Sequence, residues 1–405
     1  MPLTRRRFLR RALLAAAGLL TAACTPEPIQ SLLPSSTAKP SPTPPPSPTP
    51  TPSASPSPTA VPSEVAPLRD KIARLLLIGF RGTTADEAST TIADIRERKL
   101  GGVLLFDVDQ PTGGVRNVVS PEQVAALTGA LQDAAGGSLI VAIDQEGGRV
   151  ARLNERHGFP PTRSAAVLGA TGDPSVTGRA AAAMAQTLST AGVTLNLAPV
   201  VDLNLNPANP VIGALDRSFG ADANLVVAHA SAFIAAHREL GVHTALKHFP
   251  GQGSATGDTH TGFVDVTGTW TRAELAPFDR LIEAGSVDAV MTAHIFEATL
   301  DPEVPATLSR RVVTDLLRGE LGWDGPTISD DLQMGAIAER FGYEEALRRA
   351  LLAGIDLLLV ANQQTFVEDL VTRTVDIVER LVSDGEVPVE VIDAAEERVR
   401  SLRTT

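Results

Sequence analysis

Three short segments of the chain hold residue types that could make and break bonds. The first, Ile328-Ser329-Asp330-Asp331-Leu332, ends an apolar run on two adjacent carboxylates. A carboxylate in such a place serves as a nucleophile, as a hydrogen-bond acceptor or as a helix cap. The second, Lys247-His248-Phe249-Pro250-Gly251-Gln252-Gly253, runs on through Gly257 to Asp258-Thr259-His260. Asp258 and His260 are two apart, so in extended backbone they share one side, where a carboxylate can orient an imidazole and raise its basicity. An imidazole so held gives and takes a proton close to neutrality. Gly251, Gly253, Gly257 and Gly262 make this a long loop of the kind that closes over a substrate. In the third segment, Asp144-Gln145-Glu146-Gly147-Gly148-Arg149, an acidic residue follows an apolar run that turns at once on two glycines. A carboxylate there can accept hydrogen bonds from two vicinal hydroxyls, or it can be a plain acidic turn. The spacing of His243, His248, Asp258 and His260 matches no zinc pattern. No metal and no cofactor is expected.

These segments need a scaffold that brings them together. From about residue 65 onward, short apolar runs alternate with longer stretches of helical period, which argues for βα units and a parallel sheet. Strands are expected at 75–80, 102–106, 139–143, 194–201, 243–247, 289–293, 326–329 and 356–360. Helices are expected at 86–99, 121–135, 175–191, 224–240, 272–284, 309–321, 343–353 and 366–383. Ser120-Pro121, Asp173-Pro174 and Thr271 with Glu274 read as helix starts, and Gly136, Gly192, Gly241, Gly285, Gly322 and Gly354 as stops. Eight such units in about 340 residues fit an α/β fold, a (β/α)8 TIM barrel, forming a single catalytic domain over 65–405. Only about 45 residues follow the eighth strand, too few for a second catalytic domain. The unusual polar residues nearly all follow strands: Asp144 and Glu146, Asp202 and Asn204, Lys247 and His248, His294, Asp330 and Asp331, and Asn362. In a barrel such positions converge on the face where active sites form.

Lys247 to His260 together with Ser329-Asp330-Asp331-Leu332 resemble the β-N-acetylhexosaminidase branch of the family 3 glycoside hydrolases, and the resemblance extends from about Leu75 to Asn362. It implies a TIM-barrel enzyme that retains anomeric configuration through a covalent glycosyl-enzyme. It further implies Asp330 as the nucleophile and His260, paired with Asp258, as the general acid/base. Asp144, Arg152, Arg217, Lys247 and His248 are then the residues that hold the sugar and its N-acetyl group. The function so implied is that of a retaining exo-β-N-acetylglucosaminidase acting on terminal β-linked N-acetylhexosamine of cell-wall fragments or other glycans. Gln252 stands where the family usually has histidine, and Thr261-Gly262-Phe263 lacks the usual proline. Both departures touch the loop and not the bond-making groups. Two alternatives stay open. A histidine is neutral after donating its proton and repels phosphate less than a carboxylate would, which would suit a phosphorylase of the same glycosides. A lipid-anchored glycan-binding protein without catalysis is the other, and its signature would be the loss of Asp330 or His260; both are present.

The first 23 residues read as a removable address. Arg5, Arg6, Arg7, Arg10 and Arg11 precede an apolar stretch that is too short to span a bilayer, and Thr4-Arg5-Arg6-Arg7-Phe8-Leu9-Arg10 resembles a twin-arginine export motif. Thr21-Ala22-Ala23-Cys24 resembles a lipoprotein processing site, with Thr21 where leucine is usual. Cys24 is the single cysteine, so the chain can form no internal disulfide, and lipidation at Cys24 is the expected anchor. Residues 24–64 are rich in Pro, Ser and Thr and cannot build a core. As a polyproline-like linker such a segment reaches about 120 Å at about 3.1 Å per residue. The expected location is therefore the outer, extracellular or periplasmic, face of a cell membrane. The formal net charge is −12 with five arginines in the first 23 residues, so the remainder is more acidic still and unsuited to binding nucleic acid by charge.

Overall fold

The structure, a computed structural model, describes residues 66–403. The expected signal peptide at 1–23, Cys24 and the linker at 24–64 lie outside the described residues.

Eight parallel strands form one sheet: β1 (Leu76–Gly79), β2 (Gly102–Leu105), β3 (Ile140–Ile143), β4 (Leu195–Asn196), β5 (His243–Phe249), β6 (Ala289–Thr292), β7 (Thr327–Ile328) and β8 (Leu358–Val360). From β1 to β7 each pairs with the next in the chain, and β1 pairs with β8, in register Leu76 with Leu358. The remaining seam, between β7 and β8, is crossed by a single bridge from Ile328 to Leu357, which closes the (β/α)8 barrel. Side chains reinforce this thin seam. The buried Asp356 carboxylate accepts from the Thr327 backbone N–H at 2.8 Å and from Arg318 and Arg398 at 2.6 and 3.0 Å, while Ser329 Oγ accepts from Leu359 N at 2.9 Å. Strands β1, β2 and β3 read as unbroken apolar runs because helices cover one side and the barrel interior the other, and every residue of these three is buried.

Seven of the eight strands fall within the expected runs, most with trimmed ends, and β5 overruns its own. The run at 194–201 pairs as a strand only over Leu195–Asn196, with a separate bridge from Val200 to Lys247. Pro199 has no N–H to give to the ladder and interrupts it. Conversely, β5 runs on through Lys247 and His248 to Phe249, so these two residues stand within the strand and not after it.

The helices Pro121–Ala135 and Tyr343–Ala353 have the expected bounds. At the first, Ser120 Oγ accepts from Gln123 N at 3.2 Å, and Gly136 ends the helix at φ 69, a conformation that costs glycine nothing. The expected helix at 309–321 is wound as a π-helix, Arg311–Glu320. The one expected at 366–383 begins only at Leu370. There the Asn362 side chain donates to Val367 O at 2.9 Å and accepts from Val367 N at 2.8 Å, holding the intervening loop open in competition with helix. A further helix near the C-terminus, Val389–Val399, was not foreseen.

Beyond the strand ends a fully buried arginine ties the loops to one another. Arg116 donates to Phe80 O at 2.9 Å, to Asp109 at 2.7 Å and to Asn362 O at 2.9 Å, joining the loops that follow β1, β2 and β8.

Candidate active site

A cavity of about 220 Å³ opens at the C-terminal ends of the strands, and Asp144, Arg152, Arg217, Lys247, His248, His260 and Asp330 all line it. Asp258 stands behind His260.

The loop after β3 sets the first of these groups. Asp144 precedes a tight hairpin in which Gln145–Gly147 pairs with Val150–Ala151. The Gln145 amide pins the hairpin by bonding Leu153 O and N at 2.8 and 3.0 Å, and Asn196 from β4 grips the Gln145 backbone at 3.0 and 2.9 Å. Asp144 and Glu146 thereby reach the same ammonium group: Lys247 Nζ lies 2.7 Å from each. Glu146 in turn takes a two-pronged pair from Arg217, with both contacts at 2.7 Å. Charges thus alternate along Asp144, Lys247, Glu146 and Arg217. Burial alone would neutralise these carboxyls, but Arg217 and Lys247 hold Glu146 below the usual carboxylate range, and Lys247 and Arg152 do the same for Asp144. Lys247 is buried too, and its two carboxylates outweigh that burial and keep its ammonium charged. Removing one member of such a buried set strands the others, at a cost of about 3–5 kcal/mol.

Donor counts separate the roles open to these groups. Arg217 also donates to Val211 O at 2.7 Å and lies 3.3 Å from His248 Nε2, so most of its donors serve the protein. Lys247 has one N–H left. Arg152 is the least committed: it approaches Asp144 and Asp107 only at 3.7 and 3.9 Å, and its Nε has no partner among the described residues. His248 Nδ1 donates to the fully buried Asp202 at 2.7 Å. Because Arg217 can only donate, His248 Nε2 is an acceptor on the cavity side.

At the end of β7 the two tandem carboxylates part company. Asp331 is absorbed by the fold, accepting from Ala361 N and Gln333 N at 3.0 Å each. Burial above all, helped by the charge of Asp330, pushes its carboxyl up to about 6. Among the described residues, Asp330 accepts only from the Asp331 backbone N–H, at 2.8 Å. Burial again disfavours its ionised form, but His294, His248 and His260 together with that N–H outweigh it and hold the carboxyl below the ordinary range. Two neighbouring carboxyls whose environments drive them apart are the arrangement from which distinct chemical roles follow. His294, buried beneath them, bonds Asp331 O at 2.9 Å and Thr307 Oγ1 at 2.9 Å, fixing this turn from below.

His260 sits on the glycine-rich loop after β5. Asp258 Oδ1 accepts from its backbone N–H at 2.8 Å and from Nδ1 at 2.7 Å, leaving Nε2 for a ligand, and the side chain is 56% exposed. The base of the same loop is held from an unexpected quarter. Glu274, which reads in the sequence as half of a helix-start pair with Thr271, turns inward and accepts from Gly253 N, Ser254 N and Ser254 Oγ at 2.9, 3.3 and 2.6 Å. Thr271 makes no side-chain cap. Burial pushes the Glu274 carboxyl up to about 7. Gln252, the departure from the family pattern, is buried against the cavity; its backbone N–H donates to Asp202 at 2.8 Å.

Sequence reasoning left Glu146, Asp202, Asp331 and Glu274 without site roles. The first three had a signal in their strand-end positions. Glu274 had none, since it lies on the following helical segment. Asn204 and Asn362, also marked as unusual, do not line the cavity.

Residues 67–402 match the model of the glycosyl hydrolase family 3 N-terminal domain. The chain is 38% identical over 284 residues to the beta-hexosaminidase A of Pseudoalteromonas piscicida, covering 64% of this chain but only 46% of that protein. It is 34% identical over 351 residues to the beta-hexosaminidase LpqI of Mycobacterium tuberculosis, covering 83% of this chain and 82% of the relative. Among solved structures it resembles a family 3 beta-N-acetylglucosaminidase from a Paenibacillus species, with TM-score 0.76 and 36% identity over 83% of this chain and 62% of that one. It also resembles a beta-N-acetylhexosaminidase from Beutenbergia cavernae, with TM-score 0.73 and 33% identity over 82% and 97% of the two chains.

Proposed function

The chain belongs to glycosyl hydrolase family 3, and from that membership we propose that it is a retaining exo-β-N-acetylglucosaminidase, releasing terminal β-linked N-acetylhexosamine from cell-wall fragments or other glycans. The observation that carries the reading is a single small cavity that joins an ionised carboxylate on a rigid strand end to a carboxylate-oriented imidazole on a loop. Its volume of about 220 Å³ lies below the range usual for sites that enclose larger ligands, which suits one terminal sugar ring. The beta-hexosaminidase and beta-N-acetylglucosaminidase names of its relatives support the substrate class.

The reaction runs in two steps. Asp330 attacks the anomeric carbon as the bond to the leaving oxygen breaks, and His260 gives its Nε2 proton to that oxygen. His260, now neutral, takes a proton from water, whose oxygen attacks the same carbon and frees Asp330. Asp144 accepts from vicinal hydroxyls, the free donors of Arg152 reach sugar oxygens or the acetamide carbonyl, and His248 lines the sugar pocket while its Nε2 accepts from Arg217. Proton NMR of early products tests the scheme: the β-anomer of free N-acetylglucosamine should appear first, in phosphate buffer as in any other. First appearance of the α-anomer would overturn the retaining mechanism, and a sugar 1-phosphate would make the protein a phosphorylase.

We further propose that a twin-arginine signal exports the protein and that a lipid on Cys24 anchors it outside the membrane, on the motifs at 4–10 and 21–24. Cys24→Ala should move the protein from the membrane to the soluble fraction. A variant that stays membrane-bound and lipid-labelled would show the anchor to lie elsewhere.

A further inference from the structure

We infer that Gly335 and Gln364 are positioning residues for the general acid, fixing the main chain of His260 against the segment that carries Asp330; the inference rests on the reading of His260 given above. The His260 carbonyl accepts from Gly335 N and from Gln364 Nε2, both at 3.3 Å, and the neighbouring Thr259 carbonyl accepts from Ala336 N at 3.2 Å. Among the described residues, these are the hydrogen bonds that reach residues 258–262 from outside their own turn. Gly335 stands five residues after Asp330, on a turn held from one side by the Asp331 carboxylate and from below by His294. Gln364 belongs to the loop after β8, which is tied to the same turn where Gln333 Nε2 donates to Thr365 O at 3.1 Å. Acid and nucleophile are thus referred to one rigid piece of backbone, although they come from different strands.

The glycine itself points the same way. Gly335 opens the helix Gly335–Phe341 and is not among the glycines at positive φ, so no backbone conformation requires it. Alanine would favour a helix there by up to about 1 kcal/mol. A Cβ at Gly335, however, would lie 3.1 Å from Gly262 N and Thr261 C and 3.2 Å from His260 O. The helix gives up propensity so that the loop can approach. An added methyl must move the loop by a few tenths of an ångström, and misplacement of 1 Å costs about 100-fold in rate, so about tenfold is the scale to expect.

The test is a series of aryl and alkyl N-acetylglucosaminides of falling leaving-group ability, measured on wild type, Gly335→Ala, Gln364→Ala and His260→Ala. For each of the two positioning variants, kcat/KM on the poorest leaving group should fall about tenfold. The loss on a dinitrophenyl glycoside should be several-fold smaller, and Gly335→Ala should melt no lower than wild type. Gln364 lies at the surface, so its variant keeps the test open should Gly335→Ala fail to fold. Losses equal across all leaving groups, or no loss on the poorest, while His260→Ala shows a steep dependence, would overturn this inference alone. If His260→Ala shows no such dependence, the reading of His260 falls and takes the inference with it.

Discussion

Asp330→Asn is expected to fold and to lose activity by several orders of magnitude, on the order of 10⁴-fold or more, as when a nucleophile is removed from a concerted site. The shape of the site should survive, because an Asn side-chain oxygen can still accept from the Asp331 N–H that Asp330 now binds at 2.8 Å. The charge is what disappears. In the wild type the half-buried carboxyl is held ionised by its neighbours, and in the proposed mechanism that charge both forms the covalent bond and steadies the oxocarbenium-like transition state. The same depression has a stability consequence of definite sign. A carboxyl held low in the folded state stabilises it above the unfolded value of 3.8, and the benefit fades as pH falls through the depressed value. Asp330→Asn should therefore melt somewhat lower at neutral pH and lose part of the wild type's acid-limb slope. A slow fluorinated glycoside should label the wild type at Asp330, read by peptide mapping. Label on Asp331 would contradict the assignment, since that carboxylate is already engaged by two backbone N–H groups.

His260→Ala should lower kcat on natural glycosides by about 10²- to 10⁴-fold, the range for loss of a general acid. Activated aryl glycosides should lose far less in the first step, because their leaving groups depart without a proton. The structure leaves little room for a packing role: the side chain is more than half exposed, and among the described residues its one hydrogen-bond partner is Asp258 at 2.7 Å. Equal losses for leaving groups of widely different acidity would mean that His260 holds the loop and does not donate a proton.

Much of this molecule is legible along the chain because the interactions concerned are local or periodic. Barrel strands such as β1, β2 and β3 announce themselves as apolar runs, since burial on both faces leaves no place for polar alternation. Ser120 caps a helix through a bond to the residue three positions on, and Asp258 meets His260 through a turn of three residues. Contacts this short need no tertiary fold to be foreseen.

The pairing of charges is another matter. Lys247 and Asp144 are 103 positions apart, Arg217 and Glu146 are 71 apart, and His248 and Asp202 are 46 apart. Each carboxylate had several cations it could have met, and only the closing of the barrel chose among them. The same holds for the tandem carboxylates: which one stays free depends on the Ala361 N–H arriving from β8 to occupy Asp331. Glu274 presents a start signal to its own helical segment, yet it is drawn inward to hold Gly253 and Ser254, because a buried loop N–H with no partner costs more than an uncapped helix end in water. Apolar runs along the chain mark where most strands lie and which residues crowd their ends; closure of the barrel selects which of those residues neutralise one another and which remain free to react, because a long-range ion pair forms only where a fold brings both partners out of water together.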